Sequence, residues 1–310
     1  MNIIWIICLL VFLYYMSASV IGWYLTRRFV FSTSKSLDFT YAKCIENEDF
    51  TEEEFLSYKL QDFSVESQFD YTLKGVYSPG SDPTKTVVFV HGHTWSWHGQ
   101  VKYFKLYRER GYNIVAYNHR YHGDSGGPNC SAGFFEKFDL KRITDWAMEQ
   151  FPQTEILGVM GESLGAATTL QFLPLEDRLT FAHVDCPYND MLDLYDYQLS
   201  LNHVPRLFRR PAVRYGIAYT KRRAGFDAHQ VSPKRSIMET KVPILFIHGD
   251  NDDYVPTQMS IDMYEARKES ADTTLVLIKG AKHALSIKVD LAEYKRSVTE
   301  FLDRIETTQG

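Results

Sequence analysis

A serine with the surroundings of a nucleophile lies in the middle of the chain, in the motif Gly161-Glu162-Ser163-Leu164-Gly165. The apolar run 156–160 before it predicts a buried strand, and residues 166–172 after it predict a helix. Because glycine has no Cβ, two glycines around the serine allow a turn tight enough to lift the hydroxyl off the edge of a sheet. A serine presented in this way attacks a carbonyl carbon when a base removes its proton.

The base and the acid that such a serine needs are expected further along the chain. His283 directly follows the last predicted strand and is the one histidine beyond His248. In the chain order serine, acid, histidine, this position predicts the base. Three aspartates, Asp250, Asp252 and Asp253, share the loop after the preceding strand. Their spacing alone does not choose among them.

These residues need a sheet to position them, and from residue 86 onward the chain alternates short apolar runs with helical patterns. Apolar strands separated by helices predict a parallel sheet with helices on both faces. Ahead of it, residues 63–79 alternate in the manner of an antiparallel hairpin. The predicted fold class is therefore α/β with a mostly parallel sheet, in a domain over residues 63–310. The predicted parallel strands are 86–90, 112–117, 156–160, 181–186, 242–247 and 274–278.

This alternation breaks between residues 188 and 240, a stretch rich in Tyr, Leu and Arg with no evident core strand. An insertion between two strands, on the side of their carboxyl ends, predicts a helical lid over the site. Within it, residues 206–223 carry seven basic side chains interleaved with aromatic and aliphatic ones. This pattern favours contact with an anionic membrane surface. A solvated basic face paired with acids elsewhere is the alternative.

The first 30 residues have the composition of a membrane anchor. Residues 3–25 carry no charged side chain, and a helix of that length exceeds the roughly 30 Å hydrocarbon core of a bilayer. Arg27 and Arg28 follow this run and no basic residue precedes it, which predicts a single pass in the cell membrane with the remaining chain in the cytoplasm. A cleaved signal peptide with a small-residue site at 17–19 is the alternative. Residues 31–62 are predicted to form a polar linker with a short helix.

Composition excludes several classes of function. The formal net charge of −5 gives no basis for nucleic-acid binding. The four cysteines, Cys8, Cys44, Cys130 and Cys186, show neither paired spacing nor a C-x-x-C motif. Neither a zinc site nor a disulfide framework is therefore predicted. We expect no metal and no organic cofactor.

Four motifs together resemble the α/β-hydrolases, in particular their serine-aminopeptidase-like, membrane-anchored bacterial branch. They are His91-Gly92-His93-Thr94, the run 119–125 (HRYHGDS), the serine motif, and the loops 248–256 (HGDNDDYVP) and 280–284 (GAKHA). The resemblance implies that Asp252 is the acid, because the acid is the fifth residue of the family's H-G-x-x-D-x-x-V-P pattern. A backbone N–H of Leu164, just past the serine, supplies one oxyanion donor, and the family's H-G-x pattern implies that His93 supplies the other.

A triad of Ser163, Asp252 and His283 predicts a serine hydrolase that cleaves acyl esters through an acyl-enzyme intermediate. Trp95 and Trp97 follow the oxyanion loop and are expected to contact the small-molecule substrate, and the membrane anchor favours a lipid-derived ester. A peptidase or amidase of the same fold is the first alternative. An inactive hydrolase fold that serves as a membrane-tethered binding module is the second.

Overall fold

The computed structural model describes residues 2–309 and contains one sheet of eight strands. Along the chain these are β1 (Gln61–Glu66), β2 (Thr72–Ser78), β3 (Lys85–Val90), β4 (Asn113–Tyr117), β5 (Ile156–Glu162), β6 (Leu179–Asp185), β7 (Ile244–Gly249) and β8 (Thr273–Ile278). Their order across the sheet is β1-β2-β4-β3-β5-β6-β7-β8. The pairs β1–β2 and β2–β4 are antiparallel, and every pair from β4 across to β8 is parallel. The carboxyl ends of the parallel strands thus meet at one edge.

Helices cover both faces of this sheet, as the buried strands β4 and β5 require. The helices are α1 (Ile3–Val30), α2 (Leu37–Glu46), α3 (Glu52–Ser57), α4 (Val101–Arg108), α5 (Glu136–Gln150), α6 (Leu164–Phe172), α7 (Met191–Leu201), α8 (Arg206–Arg223), α9 (Pro233–Ser236), α10 (Thr257–Arg267), α11 (Ser286–Val289) and α12 (Leu291–Gln309). One face packs against α4 and α12, and the other against α5, α6 and α10. The predicted α/β fold class is confirmed.

The α5 helix begins at Glu136, four residues before Leu140, the first of its buried apolar side chains. The buried carboxylate of Glu136 accepts backbone N–H groups of Ser131 at 2.6 Å and Gly133 at 2.9 Å. These bonds order the turn ahead of the helix and place Glu136 at the start of its first turn.

Residues 31–62 fold against the α4 side of the sheet. The Ser36 hydroxyl accepts the Phe39 N–H at the start of α2, and the Thr51 hydroxyl accepts the Glu54 N–H at the start of α3. Behind these caps the side chains of Cys44, Phe50 and Tyr58 are buried in the same core as α4. This stretch therefore contributes directly to the apolar interior.

Between β6 and β7 the helices α7, α8 and α9 lie over the carboxyl edge of the sheet, and α1 packs along α8. Side chains 3–13 of α1 are all exposed, whereas Ala18, Gly22, Leu25, Thr26 and Val30 are buried. Within residues 2–309, α1 is the one helix long and apolar enough to cross a membrane. A membrane anchor and a signal sequence share that property.

Candidate active site

Ser163 occupies a strained turn between β5 and α6, with φ at 54° and ψ at −114°. A Cβ on Gly165 would lie 1.9 Å from the Val90 carbonyl oxygen, and one on Gly161 would lie 2.5 Å from the Gly165 oxygen. Both positions therefore require glycine. The strained turn presents the serine hydroxyl at the carboxyl edge of the sheet, as its motif predicts.

The side chains of Ser163, His283 and Asp252 form a continuous hydrogen-bonded chain. Ser163 Oγ lies 2.8 Å from His283 Nε2, and His283 Nδ1 lies 2.7 Å from Asp252 Oδ2. An ionised carboxylate only accepts, so Nδ1 carries the ring proton and Nε2 is left to accept from the serine hydroxyl. The three residues follow β5, β8 and β7, whose carboxyl ends bring them together.

Asp252 is held as a charged acceptor by four donors. Its Oδ1 accepts backbone N–H groups of Tyr254 and Val255, each at 2.9 Å, and its Oδ2 accepts from His283 and from His248 Nε2 at 3.1 Å. Burial alone would raise the pKa of Asp252, but the hydrogen bonds from His248 and His283 outweigh it and hold this pKa well below its usual range. The neighbouring carboxylate of Asp250 instead accepts the Gly280 N–H at 2.6 Å.

His93 and Leu164 lie on the other side of the serine, where both line a small cavity of about 30 Å³ with Ser163. Leu164 is the first residue of α6, where backbone N–H groups have no helical partner. His93 follows β3 in a loop that the second histidine-rich motif supports, since His122 Nε2 accepts the Thr94 N–H at 3.0 Å. The two residues predicted to supply the oxyanion donors thus line one cavity together with the serine.

The two histidine-rich motifs form a buried cluster behind this loop. His91 Nε2 accepts the His119 N–H at 2.9 Å, and the rings of His91 and His122 lie 5.2 Å apart. Burial lowers the pKa of His91 and of His119 well below the usual value, and the neighbouring histidines lower each further. These rings are therefore neutral hydrogen-bonding groups that fix the loop.

The two tryptophans have separate positions. Trp95 lines a cleft of about 800 Å³ that opens at Ser163 and His283. Trp97 is 7% exposed, stacks on Phe55 with ring centroids 6.1 Å apart, and does not line the cleft. A one-turn 3₁₀ helix that begins at Trp97 turns this side chain into the core. Only Trp95 is therefore in place to contact a substrate.

Comparison with known proteins identifies the family to which this fold belongs. A sequence profile described as alpha/beta hydrolase fold matches residues 85–213. The chain is 32% identical over 245 residues to the uncharacterized protein YqkD of Bacillus subtilis (strain 168), an alignment that covers 78% of this chain and 79% of that protein. The chain belongs to the α/β-hydrolase family. The resemblance read from its four motifs is thereby confirmed.

Solved structures share the fold of this α/β-hydrolase. The esterase Pf2001 of Pyrococcus furiosus superposes with a TM-score of 0.66 at 24% identity, covering 83% of this chain and 94% of its own. The acylaminoacyl peptidase of Pyrococcus horikoshii gives 0.62 at 19% identity, covering 83% of this chain and 43% of its own. At these identities the likeness concerns the fold.

Beneath the serine the hydrolase has a buried polar network that sequence analysis did not identify. Lys102 Nζ lies 2.5 Å from Glu162 Oε2, which also accepts the Tyr103 hydroxyl at 2.7 Å. Lys102 donates at 3.1 Å to the carbonyl of Ala284, the residue after His283. The pair thus links the residue before the serine to the residue after the histidine. Its one sequence signal is the charge of Glu162 at the end of an apolar strand.

Among the described residues of the hydrolase, one group could hold a metal ion: Cys186, Asp252 and His283, with ligand atoms within 4.8 Å of one another. Two of these three already share a hydrogen bond. Burial, followed by the nearby Asp185 carboxylate, raises the pKa of the Cys186 thiol well above its usual value, so the thiolate that a metal needs is disfavoured. The donor set suits proton transfer better than metal binding.

Proposed function

We propose that this α/β-hydrolase cleaves carboxylic esters through a covalent intermediate on Ser163. The observation that carries the proposal is the unbroken chain from Ser163 Oγ through His283 to Asp252 Oδ2, with distances of 2.8 and 2.7 Å. Both distances lie within the range for proton transfer along a hydrogen bond. The catalytic unit comprises the predicted domain 63–310, with residues 188–240 as the lid, together with residues 31–62 that pack into its core.

In the first half-reaction Ser163 Oγ bonds to the ester carbonyl carbon as its proton passes to His283 Nε2. The charge that develops on the carbonyl oxygen is met by the N–H groups of His93 and Leu164. His283 then protonates the departing alcohol, which leaves an acyl group on Ser163. Water attacks this ester as one of its protons passes to His283, which then gives that proton to Ser163 Oγ as the bond to the acyl carbon breaks and the carboxylic acid departs. Asp252 holds the imidazole and stabilises its charged form throughout.

The small cavity and the larger cleft beside Ser163 support separate positions for the acyl group and the alcohol of the ester. The small cavity on the oxyanion side has an almost wholly apolar lining, which suits the acyl group. The larger cleft, lined by Trp95, receives the alcohol. Its charged residues are engaged with one another, since Lys102 pairs with Glu162 at 2.5 Å and Lys288 with Asp49 at 2.8 Å. Paired charges favour a neutral leaving group over the amine of a peptide.

The proposal places the enzyme at the cytoplasmic face of a membrane, with α1 as its anchor and a lipid-derived ester as its substrate. The exposed apolar residues 3–13 of α1, roughly 16 Å of helix, support insertion of this end, and from Tyr14 onward α1 packs beside the basic residues of α8. Arg27 and Arg28 at the end of α1 support the orientation. Within the described residues no carboxylate lies within 4 Å of Arg206, Arg210 or Arg214 on α8. This unpaired charge favours anionic lipid.

Hydrolysis of p-nitrophenyl esters from acetyl to dodecanoyl by the full chain in detergent micelles tests the proposal. Ser163→Ala should lower turnover by roughly 10⁴-fold or more, because no acyl-enzyme can form. Ser64→Ala, on the exposed side of the edge strand β1, is the matched control and should keep full activity.

The alternatives give other results. Turnover of peptide p-nitroanilides without turnover of esters would assign an amidase. A chain in which an alkyl fluorophosphonate fails to modify Ser163 would contradict hydrolysis altogether and leave a binding module.

A further inference from the structure

The carboxyl end of α1 reaches the active site. The side chain of Phe29, in the last turn of α1, lines the small cavity together with His93, Leu194, Tyr195 and Ser163. Its ring centroid lies 5.3 Å from that of Tyr195. The last turn of the helix that carries the apolar run 3–25 therefore forms one wall of the space next to the serine.

The same residue holds the oxyanion loop through its backbone. The Phe29 carbonyl oxygen, left without a partner at the end of the helix, lies 2.9 Å from His93 Nε2. Burial and the neighbouring His122 lower the pKa of His93 to about 4, so its ring is neutral at pH 7 and Nε2 carries the proton that is donated. Two residues past the cavity wall, the Phe31 ring packs against Tyr219 instead.

The chain that follows α1 is fixed to the loops around the site. The Val30 carbonyl accepts the Cys130 N–H at 3.0 Å, and the Lys35 N–H donates to the Thr94 carbonyl at 3.0 Å. Further along, the Ser34 hydroxyl accepts the Gly123 N–H at 2.9 Å. The end of α1 thus cannot move without the oxyanion loop.

Close packing against the lid sets the position of α1. A Cβ on Gly22 would lie 2.3 Å from the Ala212 carbonyl oxygen, and one on Gly216 would lie 2.8 Å from the Thr26 hydroxyl. Small residues four apart on both helices, at 18, 22 and 26 and at 212, 216 and 220, let the two backbones approach this closely. The lid therefore fixes the depth to which Phe29 enters the cavity.

We infer that α1 is a structural wall of the acyl cavity as well as a membrane segment, and that Phe29 sets the length of the acyl group. This inference rests on the proposed ester hydrolysis. The cavity of about 30 Å³ is small beside the 800 Å³ cleft, so we expect the wild-type enzyme to accept short acyl groups. Removal of the Phe29 ring lengthens the cavity.

The test uses the full chain in micelles with Phe29→Ala, Phe29→Leu and the matched control Phe31→Ala. The measured quantity is the ratio of kcat/KM for p-nitrophenyl octanoate to that for the butanoate. Phe29→Ala should raise this ratio at least about tenfold and Phe29→Leu by less, because each methylene that enters an apolar site contributes roughly fourfold and we expect room for about two of the four additional methylenes of the octanoate. Phe31→Ala should leave the ratio unchanged. The Leu variant retains an apolar filler and keeps the test open if the Ala variant does not fold.

A second measurement does not depend on ester turnover. Carboxylic acids from acetate to octanoate are titrated by calorimetry into the Ser163→Ala chain, with and without Phe29→Ala. A longer chain-length limit in the double variant supports the inference. The same limit in both, or no binding by either, overturns it.

The two proposals can fail separately. Ester turnover with an unchanged chain-length ratio in both Phe29 variants overturns the role of α1 and leaves ester hydrolysis standing. If no ester is turned over, ester hydrolysis is wrong and the acid titration alone decides the role of Phe29.

Discussion

The buried pair of Lys102 and Glu162 allows a quantitative test of how the site is held. Their side chains are only 10% and 9% exposed, with Nζ and Oε2 2.5 Å apart. Burial by itself would lower the pKa of Lys102, but the Glu162 charge outweighs it and raises this pKa, so the ammonium group stays charged. Lys102→Met therefore leaves the Glu162 carboxylate without its partner in a nearly dry position.

The expected cost follows from the burial. Removal of one partner from a buried ion pair costs about 3–5 kcal/mol, a large part of the roughly 5–15 kcal/mol by which a domain is stable. The double variant Lys102→Met/Glu162→Gln keeps the volumes, leaves no charge, and retains an amide oxygen that can accept from the Tyr103 hydroxyl, so it should cost only about 1–2 kcal/mol. The summed cost of the single variants Lys102→Met and Glu162→Gln should then exceed the cost of the double variant by at least about 2 kcal/mol.

Urea unfolding in micelles, followed by tryptophan fluorescence, measures the free energies of unfolding of the wild type, the two single variants and the double variant. Lys43→Met is the matched control, because Lys43 and Glu46 lie 2.8 Å apart but are 38% and 68% exposed. That change should cost less than about 1 kcal/mol. Additive single costs, or a Lys102→Met cost no larger than that of Lys43→Met, would refute the assignment of a coupled buried pair. Lys102→Met should also lower kcat more than it raises KM, since its ammonium holds the Ala284 carbonyl beside His283.

Three further outcomes are expected. Asp252→Asn should lower kcat/KM for p-nitrophenyl butanoate by roughly 10³–10⁴-fold, because an amide no longer fixes the proton on His283 Nδ1, whereas Asp250→Asn should change it less than about threefold. Changing Arg206, Arg210 and Arg214 to Gln should lower binding to phosphatidylglycerol vesicles, relative to phosphatidylcholine vesicles, by at least about tenfold in a flotation assay. The same loss of charge at Lys221, Arg222 and Arg223 should have a smaller effect, because these residues lie outside the groove between α1 and α8. Equal effects of the two triple changes would contradict a specific lipid-binding surface. Stability to urea should fall as the pH drops from 6.5 towards 4, because burial lowers the pKa of six histidines and the unfolded chain then binds protons that the folded chain does not. The three wholly buried rings, His91, His119 and His183, should each cost about 2 kcal/mol at pH 5. Burial raises the pKa of Asp139 and Asp185 to about 6, which offsets less than half of this cost, and a flat profile would show that the rings are not buried as described.

The parallel strands and the chain order of the site residues could be predicted because both depend on local patterns. Each parallel strand is a short apolar run, and residues that follow such strands necessarily meet at one edge. Ser163 and His283 are therefore identifiable from the sequence alone. The choice of Asp252 needed the family resemblance, because three aspartates in one loop differ only in which backbone N–H groups their side chains reach.

Residues whose role depends on distant contacts were not predictable. Lys102 reads as a solvated charge on a helix, and its burial depends on Glu162, which lies 60 positions away in sequence but 2.5 Å away in space. Trp97 reads as a neighbour of the oxyanion loop, but one turn of 3₁₀ helix directs it into the core against Phe55. A short sequence distance from a motif thus predicts that the backbone lies near the site, but it does not predict where the side chain points.

The first 30 residues show that hydropathy alone does not distinguish a helix that faces lipid from one that packs against a folded domain. A transfer scale treats every uncharged residue of α1 as lipid-facing, since it measures the solvent that a side chain prefers and not the partner that it contacts. The small residues Ala18, Gly22 and Thr26 do mark a packing face, yet the same spacing fits two anchors that dimerise in a bilayer. Only the position of α8, which depends on the folded lid, selects the intramolecular partner. If both proposals hold, deletion of α1 removes the membrane anchor and a wall of the active site together, and only point substitutions on its buried face distinguish the two roles.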